Sequence, residues 1–319
     1  MNSLNKKLKT LPPVFWMLIV IIIIFSISSP NYISFQNFRN ILIQSTPLMI
    51  VAFAQTCIIL TQGTDLSLGA QVSFTTVFSV FLANKGIPLI LAMLIAVLAA
   101  VCVGLINGII VAKGNVLPFI ATYGMQNILN SLSLLLASGA SIYYVSNIYQ
   151  FVTETTILFI PIMVWVAVLT FLLVWVVLKK TKFGMNIIGL GGNREALQLA
   201  GISPAYNLIK TYAFAAFIAG IAGIVTLCRI ESGQPVVASG WEFQAVAATL
   251  LGGSSLREGK GGVTGTIFGV FLITIVKNGL NIVGVKSTYQ NAIIGSIVLT
   301  AIIIDAVIRI RSKKGGAKQ

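Results

Sequence analysis

The stretch GLGGNREALQLAGISP (residues 189–204) decides how the chain is organised, because it is a polar, glycine-flanked segment between two apolar runs. The preceding run is ILFIPIMVWVAVLTFLLVWVVL (157–178), and the following run is NLIKTYAFAAFIAGIAGIVTL (207–227). Apolar runs of about 20 residues are long enough to cross the hydrocarbon core of a bilayer as helices. The polar segment is therefore typical of a short loop helix at a membrane surface.

The composition extends this interpretation to the whole chain. Of the 319 residues, 57% are hydrophobic and only 9% are charged, whereas a soluble domain carries roughly 25% charged residues. We therefore expect an all-α polytopic membrane protein that forms a single domain over residues 1–319. About ten spans are predicted, at roughly 12–29, 41–60, 68–84, 87–111, 119–137, 157–178, 207–228, 243–253, 262–281 and 290–308.

The distribution of the basic residues predicts the orientation. If the N-terminus is cytoplasmic, sixteen Lys and Arg side chains fall inside and four fall in outside loops, namely Arg39, Lys85, Arg229 and Lys286. This asymmetry is the positive-inside bias of membrane proteins, so both termini are predicted to be cytoplasmic. It also accounts for the net charge of +14 without nucleic acid. Lys277 lies within a span, and we expect it to extend toward the membrane surface or to pair across the bundle.

The count of ten depends on residues 243–253. Eleven helical residues cover only about 16 Å of a hydrocarbon core about 30 Å thick. Such a segment needs shielding by other helices or must line a cavity, and hydropathy alone also permits eight or nine spans. The stretches 59–82 and 249–272 share a faint layout of apolar run, glycine turn and new helix. They indicate either a parallel internal repeat or two similar turns that arose by chance.

The sequence offers no catalytic constellation. It contains no histidine, and its three cysteines lie in apolar runs. GGSSLREGKGG fails as a phosphate-binding loop, because Ser254 occupies the first glycine position and Gly261 follows Lys260. Only Asp65 and Asp305 are placed at span ends by this interpretation. We therefore predict no catalytic residue, metal site or cofactor, and no enzyme activity.

The polar segment has the signals of a separate short helix. Gly191 and Gly192 are expected to break the chain, Asn193 is a good N-cap, and REALQLA favours a helix. Gly201 then supplies a C-terminal stop. A helix of about two turns is unstable in isolation, so packing must hold it.

Two kinds of packing remain open for this helix. Leu197 and Ile202 would supply an apolar face for a docking groove, and Arg194 and Glu195 a polar rim. The alternative is an ordinary loop helix that packs only against its own membrane helices.

The segment resembles the coupling helix of the ribose/xylose/arabinose-type ABC importer permeases, a Gly-x-Asn-x-x-Ala motif that leads to Gly-Ile. The matching residues are Gly191, Asn193, Ala196, Gly201 and Ile202. GTDLSLG, with Gly63, Asp65, Ser67 and Gly69, is similar to the turn that marks this family. GLINGIIVAK, LPFIATYGM, LLGGSSL, NGLNIVGV and the closing QNAIIGSIVLTAIIIDAVIRIR also resemble family blocks, in the same order. The resemblance covers nearly the whole chain.

The resemblance implies a permease that works in the bacterial cell (inner) membrane as a homodimer or with a similar second permease. It implies a cytoplasmic ATPase with tandem nucleotide sites, which holds ATP and Mg²⁺, and an extracytoplasmic sugar-binding protein. The ATPase contacts would be made by the segment 191–202, including Arg194, Glu195 and Leu197. The substrate would be a monosaccharide, ribose or a similar pentose.

Several departures and alternatives leave the substrate open. Gln62 and Glu258 stand where the family pattern favours glycine, and Asn130-Ser131 replaces a frequent Arg-Gly. Related permeases carry autoinducer-2, other sugars and sugar alcohols. A self-sufficient channel or secondary carrier is the alternative from another class, and an integral-membrane enzyme is disfavoured by the missing acid–base residues.

Uncharged polar side chains inside spans are candidates for the substrate pathway, because a sugar that leaves water needs new hydrogen-bond partners. With one aromatic residue, the candidates are Asn107, Phe119, Thr122, Asn127, Asn130 and Asn278. Asn107 and Asn278 could instead join helices to one another. Asp65 is expected to accept backbone N–H bonds at the next helix, with contact to sugar or ATPase as the alternative.

Overall fold

The computed structural model describes residues 13–256, 258–286, 289–290, 292–296, 299–300 and 303. Most of the predicted span 290–308, including Asp305, lies outside the described residues. The helices of the described part are α1 (Pro13–Ser28), α2 (Phe35–Ile59), α3 (Ser67–Asn84), α4 (Leu89–Ala112), α5 (Pro118–Leu136), α6 (Asn147–Glu154), α7 (Ile162–Lys180), α8 (Lys182–Gly192), α9 (Arg194–Leu199), α10 (Pro204–Ile230), α11 (Trp241–Leu251) and α12 (Val263–Ile282). A 3₁₀ turn (Pro30–Ile33) joins α1 to α2.

The helices coincide with nine of the predicted spans. Five of the described helices, α2, α4, α7, α10 and α12, are long and apolar enough to cross a membrane. α3 and α5 have similar lengths of 18 and 19 residues but are more polar, and α1 is a shorter apolar helix. α11 has 11 residues, so the short helix predicted at 243–253 is confirmed.

Local capping explains where several helices begin and end. The Ser34 hydroxyl accepts a hydrogen bond from the Asn37 N–H at 3.1 Å and caps α2. Ser203 caps α10 in the same way, with Pro204 in the first turn, where its missing N–H costs nothing. α10 ends at Glu231, which adopts the left-handed conformation. These signals are local, so they can be read from sequence.

α2 and α10 form the centre of the bundle. Long runs of both helices are fully buried; on α2, Ile50, Val51 and Ala52 have no exposed surface. α10 packs along α4, α2 and α3, whereas α11 and α12 pack against α2. Gly108 of α4 permits the approach of α10, because a Cβ there would lie 2.7 Å from the Ile209 Cα. Small residues at such crossings let helix backbones come close in membranes.

The two stretches with the suggested repeat layout are both helix–turn–helix units. One joins α2 to α3 and the other joins α11 to α12. They meet in the core, where the Thr56 hydroxyl lies 2.8 Å from the Thr266 hydroxyl and 3.4 Å from the Thr249 hydroxyl. The two stretches therefore share the same local structure, a helix, a turn and a second helix.

Residues 138–161 form a small irregular layer that connects α5 to α7. Strand β1 (Ile142–Tyr143) pairs antiparallel with β4 (Ser232–Gly233), directly after α10. β2 (Thr156–Ile157) pairs antiparallel with β3 (Ile160–Pro161). The amphipathic α6 lies between them and buries Tyr149. This layer lies at the end of the bundle where α10 finishes, and α9 lies at the end where α10 begins.

Candidate functional site

The polar segment forms the predicted short helix, α9. The Asn193 side chain caps it by accepting a hydrogen bond from the Ala196 N–H at 2.9 Å. Gly201 follows the helix with a φ of +77°, a left-handed conformation that glycine adopts without strain. No residue of α9 is buried. The N-cap and the glycine stop are thereby confirmed.

The expected chain break at Gly191-Gly192 is wrong. Both glycines belong to the last turn of α8, and the chain leaves the helix at Asn193, which has an extended conformation. Gly191 is buried and Gly192 is exposed. Glycine is needed at position 191 because two other turns pack directly against its Cα. A side chain there would collide with their backbone atoms at Leu60 and Gly259.

Three turns meet beside α9, and we call this meeting point the joint (Leu60–Gln62, Gly191, Arg194 and Gly259). The Gln62 Nε2 donates to the Gly191 carbonyl at 2.8 Å, and the Arg194 Nη2 donates to the Thr61 carbonyl at 3.1 Å. A Cβ on Gly191 would overlap the Leu60 carbonyl oxygen and lie 2.8 Å from the Gly259 Cα. The joint therefore links α8 and α9 to the end of α2 and to the loop between α11 and α12.

Gln62 explains one departure from the family pattern. Its φ is +64°, in the left-handed region where a residue with a Cβ costs roughly 1–2 kcal/mol relative to glycine. Its side chain bonds the Gly191 carbonyl, a contact that glycine could not make. The glutamine therefore accepts backbone strain at a position that favours glycine and gains a fixed contact to α8.

The expected outward apolar face of α9 is partly wrong. Leu197 is half-buried, and it lies against Gly189 of α8, where an added Cβ would be 2.7 Å from the Leu197 Cδ1. Ile202 is also half-buried. The exposed apolar side chain is Leu199, with 89% of its surface accessible. Arg194 and Glu195, the expected polar rim, are both exposed. Arg194 also takes part in the joint through its hydrogen bond to the Thr61 carbonyl.

The GTDLSLG turn is buried and hydrogen-bonded. The Asp65 Oδ1 accepts bonds from the Ser67 N–H at 2.8 Å and the Ser67 hydroxyl at 2.6 Å. The Ser67 Oγ in turn accepts bonds from Gln71 Nε2 at 2.8 Å and Asn107 Nδ2 at 2.9 Å. Asp65 has no exposed surface. Asp65 therefore accepts a backbone N–H bond at the start of α3, as expected, and Asn107 ties α4 to the same point.

Asp65 gives the protein a predicted pH dependence. Burial raises the pKa of its carboxyl to about 6, against the opposing hydrogen bonds from Ser67 and Asn107. The pKa of Asp65 in the folded protein lies above its ordinary value of 3.8. The contribution of Asp65 to stability is therefore complete below pH 3.8 and is lost as the pH rises through about 6. We expect the free energy of unfolding to fall by about 1 kcal/mol between pH 5 and pH 8 through this group.

Asp65→Asn isolates this contribution from other titrating groups. The side-chain amide oxygen in the variant can still accept the Ser67 bonds, so we expect the variant to keep the turn and to lose that part of the pH dependence. The measurement is the melting temperature of the wild type and of the variant in detergent at several pH values. Equal pH dependence of the melting temperature in the two proteins would contradict the assignment.

Glu242 is a buried carboxylate that the sequence interpretation missed at the start of α11. Only 2% of its surface is exposed, and its Oε1 accepts bonds from Gln126 Nε2 at 2.8 Å and the Gly240 N–H at 3.2 Å. Gly69 of α3 makes room for it, since a Cβ there would overlap the Glu242 Oε2. Placing the start of the short span at 243 left Glu242 outside it, so the carboxylate was not recognised as a span-end residue.

The candidate pathway residues separate into two groups. Asn107, Thr122 and Asn278 are buried and join helices. The Thr122 hydroxyl accepts from the Leu66 N–H at 3.1 Å, and the Asn278 Nδ2 donates to the Asn37 Oδ1 at 2.9 Å. These contacts favour the helix-joining alternative for the buried group.

The other group lies on α5 and points away from the bundle core. Phe119 is 55% exposed and stacks on Tyr123 with ring centroids 6.2 Å apart. Asn127 is exposed, and Asn130 is half-buried. The structure therefore does not bring all six candidates together around one cavity, and only the α5 group presents polar and aromatic surface outward.

These features define a polytopic, all-α membrane protein with an exposed helix fixed to the ends of several spans. The chain belongs to the family described as branched-chain amino acid transport system / permease component, whose model matches residues 37–304. No solved structure matches the chain.

Named relatives agree with this family assignment. The chain is 35% identical to the ribose import permease protein RbsC of Escherichia coli over 298 residues, 90% of this chain and 91% of that one. It is 34% identical to RbsC of Bacillus subtilis over 290 residues, 90% of each chain. It is 34% identical to the galactose/methyl galactoside import permease MglC of Salmonella typhimurium, over 98% of this chain and all of that one. The chain is therefore an ABC importer permease of the bacterial inner membrane, a transport component rather than an enzyme.

Proposed function

We propose that this chain forms the translocation pathway of a binding-protein-dependent importer for a monosaccharide, ribose or a similar pentose. Ribose permeases from two distant bacteria match it at 35% and 34% identity over nine-tenths of the chain. The D-allose permease of Escherichia coli matches at 29%, and the galactose permease named above at 34%. These relatives leave another sugar as an alternative substrate, and the family resemblance adds autoinducer-2 and sugar alcohols.

The observation that carries the coupling proposal is an exposed helix held by a rigid joint. α9 has no buried residue, yet its first residue bonds the Thr61 carbonyl and its N-cap follows directly on the packed end of α8. α9 is therefore open to a partner while its first residue is fixed to the end of a span. We infer that α9, with Ala196 and Leu199 exposed, docks on a cytoplasmic ATPase that holds ATP and Mg²⁺.

The joint supplies a path for movement from α9 to the spans. Thr61 and Gln62 lead within five residues to the buried Asp65–Ser67 turn, and Ser67 begins α3. Gly63 lies against α10, since a Cβ there would be 3.2 Å from the Tyr212 hydroxyl. A shift of α9 therefore moves α3 and α10 together. Coupling of this kind requires the docked contact to differ between two states.

The proposed assembly rests on the charge distribution and on membership of the permease family. We propose ten spans with both termini in the cytoplasm, two permease copies or a copy with a paralogue, and an extracytoplasmic sugar-binding protein. The polar and aromatic face of α5, with Phe119, Asn127 and Asn130, would line the pathway where two copies meet, while membrane lipid covers the apolar faces. The contacts there would be few, because a pathway that binds tightly releases slowly.

Reconstitution tests the proposed function. The chain would be placed in liposomes with the ATPase and binding protein from its own transport system, and uptake of labelled ribose, allose and galactose would be measured. We expect uptake only when ATP and both partners are present, with ribose preferred. Uptake by the chain alone, without ATP, would instead identify a channel or secondary carrier.

Cysteine labelling tests the proposed orientation. In a Cys102→Ala background the remaining Cys57 and Cys228 are buried. We expect Asn147→Cys and Val236→Cys, both exposed positions, to react with an impermeant thiol reagent in intact cells. Glu195→Cys should react only after the membrane is opened. Labelling of residue 195 from outside would reverse the orientation.

A further inference from the structure

A polar cavity lies at the end of the bundle opposite to α9. It has a volume of about 340 Å³ and lies between α2, α10, α11 and α12. α10 begins beside α9 and reaches the cavity after 25 residues, about 38 Å along its axis. The polar and aromatic residues that line the cavity include Gln44, Arg229, Trp241, Gln244, Lys277 and Asn281.

Two cations face this cavity together. Lys277 is exposed while its neighbours Val276 and Asn278 are buried, so its side chain reaches the open space. Arg229 is exposed at the last turn of α10 and is close enough to Lys277 for the two charges to interact. Within the described residues neither side chain forms a hydrogen bond or an ion pair, so the expected pairing of Lys277 across the bundle is not seen there.

The nearby carboxylates do not neutralise these charges. Glu231 follows Arg229 by two residues but forms no ion pair with it. Glu242 is next to Trp241, yet its side chain turns toward Gln126 and the Gly240 N–H. The cavity therefore holds two mutually repelling cations with no anion from the part of the chain that the structure describes. Lys277 lies within a span, where an ionisable group is costly and usually serves a site.

We propose that this cavity binds a phosphate group. An arginine presents a planar fork of donors that fits phosphate oxygens, and a lysine adds a point charge. The amides of Gln44, Gln244 and Asn281 supply further donors around the two cations. A bound dianion or monoanion would relieve the repulsion between Arg229 and Lys277. Either an anionic phosphoglycerol lipid headgroup or free phosphate supplies this chemistry.

The first experiment titrates inorganic phosphate into the full chain held in nanodiscs of phosphatidylcholine. Calorimetry measures binding, and Trp241 fluorescence, assigned with Trp241→Phe, reports on the cavity. We expect saturable binding that weakens about tenfold or more in Arg229→Gln and in Lys277→Gln, since each removes a charged hydrogen-bond donor. Lys85→Gln is the matched control, because Lys85 lies over the Phe81 ring outside the cavity.

The second experiment identifies the source of the phosphate. The chain is extracted from mixed phosphatidylglycerol and phosphatidylcholine vesicles and examined by native mass spectrometry. Retained phosphatidylglycerol that is lost in both glutamine variants assigns the site to lipid; phosphate binding without lipid retention assigns it to the free ion. Lys277→Arg keeps the charge and should keep binding, which separates loss of charge from loss of fold. Absence of both signals in the wild type, or equal behaviour of Lys277→Gln and Lys85→Gln, overturns the proposal.

Discussion

Gly191→Ala is expected to reduce strongly the amount of folded protein in the membrane, whereas Gly192→Ala is expected to leave it unchanged. A methyl group on Gly191 would overlap the Leu60 carbonyl oxygen and press on the Gly259 Cα. Both obstacles are backbone atoms, so no side-chain rotation relieves the clash. Overpacking typically costs about 1–3 kcal/mol, and a clash with two backbone segments belongs at the upper end of that range. The neighbouring Gly192 has nothing within 4 Å of an added Cβ.

This pair of variants tests the joint itself, because the two substitutions are chemically identical and one residue apart. Membrane abundance and the melting temperature in detergent are the measurements. Alanine favours a helix over glycine by up to about 1 kcal/mol, so any change in the stability of Gly192→Ala should be a small increase. Equal stability of the two variants would show that the joint does not hold α8 against the turns at Leu60 and Gly259.

The positions of the helices could be predicted from the sequence because they follow from local apolar runs and caps. Nine predicted spans coincide with helices, and the 11-residue α11 lies where a short helix was expected. The cap at Asn193 and the stop at Gly201 are also local signals. Interactions within one or two turns determine them, so tertiary structure does not override them.

The contacts of the candidate site could not be predicted in the same way. Arg194 bonds a carbonyl 133 residues away, and Glu242 bonds an amide 116 residues away. Neither pairing leaves a periodic signal in one sequence. The predicted chain break at Gly191-Gly192 was wrong for the same reason. Gly191 is required by a contact with backbone that is distant in sequence, and it lies within α8. Leu197 was expected to face outward, but it packs on Gly189 of α8 and leaves Leu199, for which no role was predicted, as the exposed apolar side chain.

Gln62 shows how a departure from a family pattern becomes informative once the fold is known. The position has a left-handed backbone, which fits the glycine expected there from the family resemblance. The side chain of Gln62 adds a bond to the Gly191 carbonyl, so this chain stiffens the joint where a glycine would leave it freer. The consequence is a closer link between α9 and the turn that leads into α3.

Ala196→Trp and Gly201→Leu are expected to lower ATP-driven uptake by at least about tenfold while the protein still inserts and ATP hydrolysis by the complex continues. The Ala196 side chain is exposed, and only its backbone N–H takes part in the Asn193 cap, so a large side chain there leaves the fold intact. It would hold the docked partner away from α9. Gly201 has a φ of +77° with open space around it, so leucine adds roughly 1–2 kcal/mol of backbone strain at the end of the helix.

The readout must separate coupling from assembly. Uptake and ATP hydrolysis are measured in the same proteoliposomes, and co-purification with the ATPase reports whether the complex forms. Ala140→Trp serves as the control, because Ala140 is an exposed alanine in the layer at the opposite end of the bundle. If α9 is the coupling helix, the ratio of sugar transported to ATP hydrolysed falls in Ala196→Trp and Gly201→Leu and stays constant in Ala140→Trp. An unchanged ratio in the two α9 variants would remove the coupling role and leave α9 as a loop helix that packs only against its own chain.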